Sequence, residues 1–355
     1  LAGERCGARP GARRVLPSGP TMSRLAATSP VPDLTIVVPS YETADRLETC
    51  LGALARSAEQ HPQVVLEVIV VDNGSRDDSV LRARRSPLSP RVVALVRNRG
   101  FAAAVNRGLD LRRGRHVLLL NSDVIVDAAM IPGGLARLDE DPTIGLLGPA
   151  LRHADGRVQR SAHPIPDLWT ELLPEWLLDR LRVPPVKAGG LREVEALRGA
   201  ALFVRGDLVE KLGPLDEGYF FFLEDTDYCA RARSAGVRVV EDSALFATHS
   251  SGASSKRRVP LATRIEFHRS LYRFLERSSG RLVARVARGV RTVRSLVSLL
   301  LLVLPTLVSD EARRRLAERF GLVLWHLRGC PPDPALASAL LESTGGGRGE
   351  GEGER

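Results

Sequence analysis

VVLEVIVVDNGS, residues 64–75, places seven apolar side chains in its first eight positions and then stops in the cluster Asp72-Asn73-Gly74-Ser75. A short, nearly continuous apolar run reads as a strand covered on both faces. The acceptor-rich Asp-Asn-Gly that closes it reads as a turn. The same unit lies on either side. Upstream, Leu34 to Pro39 (LTIVVP) closes at Pro39-Ser40-Tyr41 and is followed by a helical stretch from about Ala44 to Ala58. Downstream, Asp77, Asp78 and Ser79 are placed to cap a helix over Val80 to Arg85. A third strand, Val92 to Val96, ends at Arg97-Asn98-Arg99-Gly100, with a helix over Phe101 to Leu111; a fourth, His116 to Leu120, ends at Asn121-Ser122-Asp123. Strand, polar tip and helix repeated in this order predict an α/β protein with a doubly wound, mostly parallel sheet. Ligands of such sheets sit beyond the C-terminal strand ends, so Tyr41, Asp72, Asn98, Arg99 and Asp123 should face one crevice.

The crevice lacks the glycine-rich fingerprints of a dinucleotide fold or a P-loop. Phosphate charge must be neutralised otherwise, and a divalent metal on Asp123, magnesium or manganese, is the simplest means, because these ions favour carboxylate and phosphate oxygens. A second chemical stretch follows at Leu215 to His249, LDEGYFFFLEDTDYCARARSAGVRVVEDSALFATH. Its aromatic run, Tyr219 to Phe222, delivers Glu224, Asp225 and Asp227 to the start of a helix expected over Thr226 to Ala235. Free backbone N–H groups and the helix dipole there favour ionised carboxylates, and hence a base. Asp216 and Glu217 are expected to shape the aromatic loop, and Cys229 to face the core. His249 follows a strand-like run, at its end.

The chain has 355 residues and a net charge of +9, but the charge is concentrated: Lys256 to Arg294 holds twelve Lys/Arg against two acids, a local +10 that leaves −1 elsewhere. The catalytic-looking part is therefore neutral. Without aromatic interleaving or a recognisable module, the basic segment does not point to nucleic acid. The cysteines, Cys6, Cys50, Cys229 and Cys330, are widely spaced and suggest neither a zinc site nor a disulfide framework, which fits a reduced cytoplasmic setting. Residues 1–32 read as a disordered extension without an apolar signal core, and Met22 as a plausible start.

Seven segments in order, TIVVPSYE, VIVVDNGSRDDS, NRGFAAAVNRG, LLLNSD, LRGAALFVR, GPLDEGYFFFLEDTDYCARARSAG and TH, resemble the family 2 glycosyltransferases of the GT-A fold. Within these they are most similar to the rhamnosyltransferase-like branch, whose members use dTDP-rhamnose or related nucleotide sugars. The resemblance spans residues 33–255. It implies that Asp72 reads the pyrimidine, with Arg99 in its supporting segment, and that Asp123 is the last acid of a metal motif in which Asn121 replaces an acid and is left to bond the ribose. It further makes Asp225 the general base of an inverting transfer, Glu224 its neighbour that orients acceptor or base, and His249 a metal ligand. Pro39, Tyr41, Glu42, Asn98, Gly100 and Asn106 complete the nucleotide candidates. The implied partners are a nucleotide-diphosphate sugar and a glycan or polyprenyl-linked acceptor in cell-surface polysaccharide assembly. A processive synthase is disfavoured, since Q-x-x-R-W and long spanning helices are missing. An inactive sugar-nucleotide-binding scaffold and a UDP-hexose transferase are the alternatives.

Residues 256–330 form the basic appendage. Arg273, Arg277, Arg281, Arg285, Arg288, Arg291 and Arg294 recur every three or four residues, which predicts one helical face, with Leu271, Phe274, Leu282, Val283, Val286, Val290 and Val293 largely on the other. Such a helix suits an anionic membrane surface; its competitor is a helix packed on the catalytic domain. Ser295 to Ser309 (SLVSLLLLVLPTLVS) is uncharged, but its fifteen residues are fewer than the ~20 needed to span a bilayer, and Pro305 interrupts them. An interfacial or re-entrant piece is expected, at the inner face of the cell membrane. Trp169 and Trp176, in the 150–198 insert, are aromatic platforms that would stack on a sugar or pack. Residues 331–355 read as a flexible tail.

Overall fold

The apolar runs form one half of a ten-stranded sheet in a computed structural model that describes residues 31–185, 190–249, 259–303 and 309–331. Strands β1 (Leu34–Ser40), β2 (Leu66–Asp72), β3 (Arg91–Ala94) and β4 (His116–Leu120) alternate with helices α1 (Ala44–Gln60), α2 (Ser79–Arg85) and α3 (Phe101–Leu109). They lie in the order β3-β2-β1-β4, all parallel. The register Ser40↔Asp72 brings the first two polar tips level. The third strand is shorter than its apolar run: it is the sheet edge, and beyond the bond from Leu95 N to Asp72 O the chain bends away and leaves Val96 fully exposed. The residue before the second helix, Asp78, makes no side-chain cap bond; Asp77 Oδ1 instead accepts from Ser79 N, the first helical residue, at 3.0 Å.

The second half is mixed. It comprises β5 (Val124–Val126), α4 (Met130–Glu140), β6 (Ile144–Arg152), β7 (Val158–Gln159), β8 (Ala162–His163), α5 (Leu168–Leu172), α6 (Glu175–Arg182), β9 (Leu191–Glu193), β10 (Ala196–Leu197), β11 (Ala201–Arg205), α7 (Gly206–Leu212), α8 (Glu224–Ser234) and β12 (Arg238–His249). β11 is inserted antiparallel between β4 and β6, and β12 runs parallel to β6. Alternation along β1 shows how both faces are covered: Ile36 and Val38 join a core with Leu47, Leu51 and Leu54 of α1, while Val37 joins Val105, Leu109 and Tyr228 on the other face. Burying each such side chain contributes about 1.5–3 kcal/mol. Cys50, Cys229 and Cys330 are free thiols, and burial pushes Cys229 up to about 12.

Three helices follow, α9 (Pro260–Ser279), α10 (Arg281–Val303) and α11 (Asp310–Leu327). They share a third core with the aromatic loop, in which Tyr219 and Leu223 pack with Leu271, Phe274, Leu275, Leu322 and Trp325. The loop that carries the acids is thus clamped by the appendage. The single basic face expected from the arginine spacing is not formed, because Gly280, at φ +90°, ends α9 and starts a new helix direction. Arg273 then pairs with Asp216, Arg291 with Glu171, and Arg288 lies over the Tyr272 ring. Beside the exposed Arg281, Arg285 and Arg294, α10 turns an apolar stripe outward: Leu282, Val286, Val293, Leu296, Val297 and Leu300 are exposed at helical spacing. Among the described residues no helix is long and apolar enough to cross a membrane. Pro32, assigned to the extension by composition, accepts from Arg115 N at 2.8 Å; residues 1–30 and 332–355 lie outside the described residues.

Candidate active site

A single cavity of about 1670 Å³ runs from the ends of β1 and β4 past the start of α8 to the C-terminal helices. At its first end Pro39, Tyr41, Asn98, Gly100 and Asn121 form the wall. Asp72 sits behind them, 2% exposed; its Oδ2 accepts from Ser75 N, while Oδ1 is buried without a partner. The wall does not include Glu42, Arg99 or Asn106. Glu42 accepts from Arg76 N, Arg99 pairs with Glu217 at 3.4 Å on the surface, and Asn106 exchanges two bonds with Leu215. The loop after β3 is instead held by Asn73, which lines the cavity. Its amide donates to Asn98 Oδ1 and Gly100 O and accepts from Arg99 N. Asn73 was legible in the sequence only as a turn former.

Asp123 and His249 come together because the antiparallel register His249↔Val124 sets the end of β12 beside the end of β4. His249 Nε2 lies 3.3 Å from Asp123 Oδ1, and Gln159 Oε1 is 3.2 Å from the other ring nitrogen. With Nδ1–H assigned to Gln159, Nε2 turns a lone pair towards Asp123 Oδ1, so that both atoms can ligate one cation. Asn121 Oδ1, also in this wall, is buried without a partner. No cluster of three His, Cys, Asp or Glu ligands exists among the described residues. The donor set fits a hard divalent ion that takes one or two protein ligands and completes its shell with phosphate and water.

The acids of α8 are delivered by a strained loop. Phe222 and Leu223 both adopt left-handed backbone, φ 75° and 66°, which costs on the order of 1–3 kcal/mol each. Neighbours hold it there: Phe101 N donates to Phe220 O at 2.8 Å, and Ser270 Oγ of α9 donates to Phe221 O at 3.0 Å. Gly100 must be glycine, since its φ is +94° and a Cβ would lie 2.6 Å from Phe220 O. Asp216 receives Gly218 N and pairs with Arg273 and Arg277; burial opposes its charge, but these bonds win and hold its carboxyl below the usual range.

Asp225 faces the cavity as a pure acceptor. Its Oδ2 takes Gly199 N at 2.7 Å, and its Oδ1 takes Thr226 N at 2.6 Å and Thr226 Oγ1 at 3.1 Å. Behind Thr226, His163 Nε2 lies 3.1 Å from the hydroxyl, and burial pushes this imidazole towards its neutral form. His163 comes from the insert and had no motif to announce it. Glu224 corrects the simple helix-terminus argument: burial first, and then the Asp225 charge, raise its carboxyl well above the usual range despite its backbone hydrogen bond. Neither acid pairs with Arg231 or Arg233, which bind Asp227 and Glu193. Trp169 and Trp176 are 61% and 69% exposed and lie outside the cavity wall, where the insert contributes Thr170, Glu171 and Leu178 instead.

The chain can be placed among known proteins on this geometry. Residues 35–193 match the model of glycosyl transferase family 2. An N-acetylglucosaminyl-diphospho-decaprenol L-rhamnosyltransferase of Mycobacterium tuberculosis is 30% identical over 273 residues, 70% of this chain and 85% of that protein. A dodecaprenyl-phosphate galacturonate synthase of Rhizobium johnstonii is 29% identical over 161 residues, 44% of each chain. Among solved structures, the mannosyltransferase PcManGT of Pyrobaculum calidifontis, in complex with GDP-mannose and manganese, aligns with a TM-score of 0.52 and 18% identity over 88% of both chains, a likeness of fold. The chain belongs to the family 2 glycosyltransferases, as a hexosyltransferase of the GT-A fold.

Proposed function

We propose that this enzyme moves a sugar, with rhamnose the first candidate, from a nucleotide-diphosphate donor to a polyprenyl-linked acceptor at a membrane surface, inverting the anomeric centre, in polysaccharide assembly. The observation that carries the reading is Asp225, an acceptor-only carboxylate fixed by Gly199 N and Thr226 in the same cavity as the Asp123–His249 pair. The sugar and the acceptor class are suggested by the 30% identical relative named for both. At roughly 300–1,000 Å³ for an ordinary ligand pocket, a cavity of about 1670 Å³ has room for donor and acceptor together.

In this mechanism Pro39, Tyr41, Asn98 and Gly100 shape the nucleotide seat, and Asn121 Oδ1 accepts from a ribose hydroxyl. Asp225 takes the proton of the acceptor hydroxyl as that oxygen attacks the anomeric carbon opposite the leaving diphosphate. Glu224, holding its own proton, keeps a second negative charge away from the base. Asp123 and His249 would hold magnesium or manganese, which when bound supplies Lewis-acid neutralisation of the diphosphate. Alignment of the two substrates in the cavity supplies much of the rest. The outward apolar stripe of α10, flanked by the exposed Arg281, Arg285 and Arg294, is the surface that meets anionic lipid.

The test is nucleoside-diphosphate release from dTDP-rhamnose, UDP-glucose, UDP-galactose, UDP-N-acetylglucosamine and GDP-mannose, with manganese or EDTA and an extracted lipid acceptor. Release from one donor that requires both metal and the lipid fraction supports the reading. Release that is indifferent to EDTA or to the lipid fraction contradicts the corresponding part.

A further inference from the structure

The cavity does not end at Asp225. Its far wall is built by the C-terminal helices, where Arg264 of α9 and Arg319 of α11 line both this cavity and a smaller one beside it. The two guanidinium groups share one local acid, Glu318, whose Oε2 lies 3.2 Å from Arg264 Nε. Among the described residues Arg319 makes no ion pair. Arg319 is half-buried, and burial together with the Arg264 charge opposes its protonated form. Arg291, the next arginine of this wall, is already neutralised by a bidentate pair with Glu171 at 2.6 and 2.8 Å. The like charges that remain are costly to hold together unless an anion joins them.

The smaller cavity, of about 260 Å³, is lined by Arg264, Ser298, Leu302, Arg315 and Arg319. It opens beside the end of α10, where Leu302 lines it and the neighbouring Leu300 and Leu301 are exposed. Arginine forks are suited to phosphate oxygens, which they bind bidentately. In the proposed function the donor's diphosphate lies at the other end of the cavity, on the cation that Asp123 and His249 would hold. What the far end offers is a group of guanidinium donors beside the exposed leucines at the end of α10.

We propose that Arg264 and Arg319 form the seat for the diphosphate of the acceptor, with its hydrocarbon chain leaving past Leu302 at the end of α10 towards the exposed Leu300 and Leu301. The proposal rests on the reading that the acceptor is lipid-linked, and it adds where that acceptor is gripped and in which direction it lies. The acceptor sugar then points from this seat along the cavity towards Asp225, while the lipid stays outside.

Binding of farnesyl diphosphate, farnesol and inorganic pyrophosphate to the full chain in mild detergent, followed by intrinsic fluorescence, tests it. Arg264→Gln, Arg319→Gln and Arg319→Lys are the variants, and binding of the donor nucleotide is the control for folding. A hydrogen bond to a charged group contributes about 1.5–3 kcal/mol, so each Gln variant should weaken farnesyl diphosphate about 10- to 100-fold while nucleotide affinity is kept. Arg319→Lys should fall in between, keeping the charge and losing the fork. Farnesyl diphosphate binding that is unchanged in all variants overturns the seat and leaves the lipid-acceptor reading standing. Pyrophosphate binding as tightly as farnesyl diphosphate overturns the lipid assignment in favour of a free-anion site. Failure of the unaltered protein to bind any prenyl diphosphate, with nucleotide binding intact, overturns the lipid-acceptor reading itself.

Discussion

Arg291→Ala should destabilise the protein more than Glu171→Ala, although the two side chains form one ion pair. Glu171, on the insert helix α5, is 1% exposed, and Arg291, on α10, is 23% exposed and borders the cavity. Removing one partner of a buried pair costs about 3–5 kcal/mol, chiefly because the other charge is stranded. Without Glu171, Arg291 can still draw on cavity water, so the loss should fall near 3 kcal/mol; without Arg291, Glu171 has nothing, and the loss should approach 5 kcal/mol. For roughly 300 ordered residues the unfolding entropy is on the order of 0.6 kcal/mol/K, which converts these losses into Tm shifts of about 5 and 8 °C. Replacing both, as Glu171→Leu with Arg291→Met, should recover most of the loss. Thermal and denaturant melts of the four proteins measure all of this. A shift below about 1 °C for Arg291→Ala, or a double variant as unstable as the worse single one, refutes the view that this pair ties the insert to the C-terminal helices.

Further expectations concern one acid, a buried histidine and one glycine. Because the folded Glu224 carboxyl lies above its unfolded value, its contribution to stability is complete below about pH 4.3 and is lost as pH rises through the folded value. Glu224→Gln should therefore gain stability over the unaltered protein as pH rises from 5 to 9, and parallel melting curves would contradict the protonated acid. His268, which burial and then the Arg291 charge push down to about 2, shows the reverse sign: its contribution is present above about pH 6.5 and is lost as pH falls. The loss should reach about 2 kcal/mol at pH 5, and His268→Gln should flatten that acid limb. Gly199→Ala would set a Cβ 3.1 Å from Asp225 Cβ and 3.3 Å from its Oδ2. Displacing the base by a few tenths of an ångström should lower kcat about tenfold with donor affinity and Tm retained; unchanged kcat would show that Gly199 does not position it.

How much of this was legible in the sequence depended on whether a feature was local. The strand ends at Tyr41, Asp72, Asn98 and Asp123 could be read because an apolar run followed by a polar tip is a pattern a few residues long. The start of α8 and its three acids could be read for the same reason. The pairing of Asp123 with His249 needed a register between strands 126 residues apart in number, and the resemblance to a known family supplied it before the geometry did. Glu224 could not be read as protonated, because the burial that raises it comes from helices some forty residues downstream. The arginine stripe misled for a related reason. Periodicity assumes an unbroken helix, and Gly280 breaks it, so that Arg273 and Arg291 find acids in distant segments while the apolar side of α10 faces outward. His163 carried no signal, since its partner Thr226 lies across the fold.

The central claim is that Asp225 is the base, and Asp225→Asn tests it most directly, by single-turnover transfer beside donor-nucleotide affinity. The amide keeps the size of the side chain and an oxygen for Gly199 N, but it cannot take a proton at neutral pH. In Asp225→Asn donor affinity should stay within about twofold of the unaltered enzyme while turnover falls by about 10²–10⁴-fold, the usual weight of a general base. Turnover retained in Asp225→Asn, with nucleotide bound as before, would contradict it.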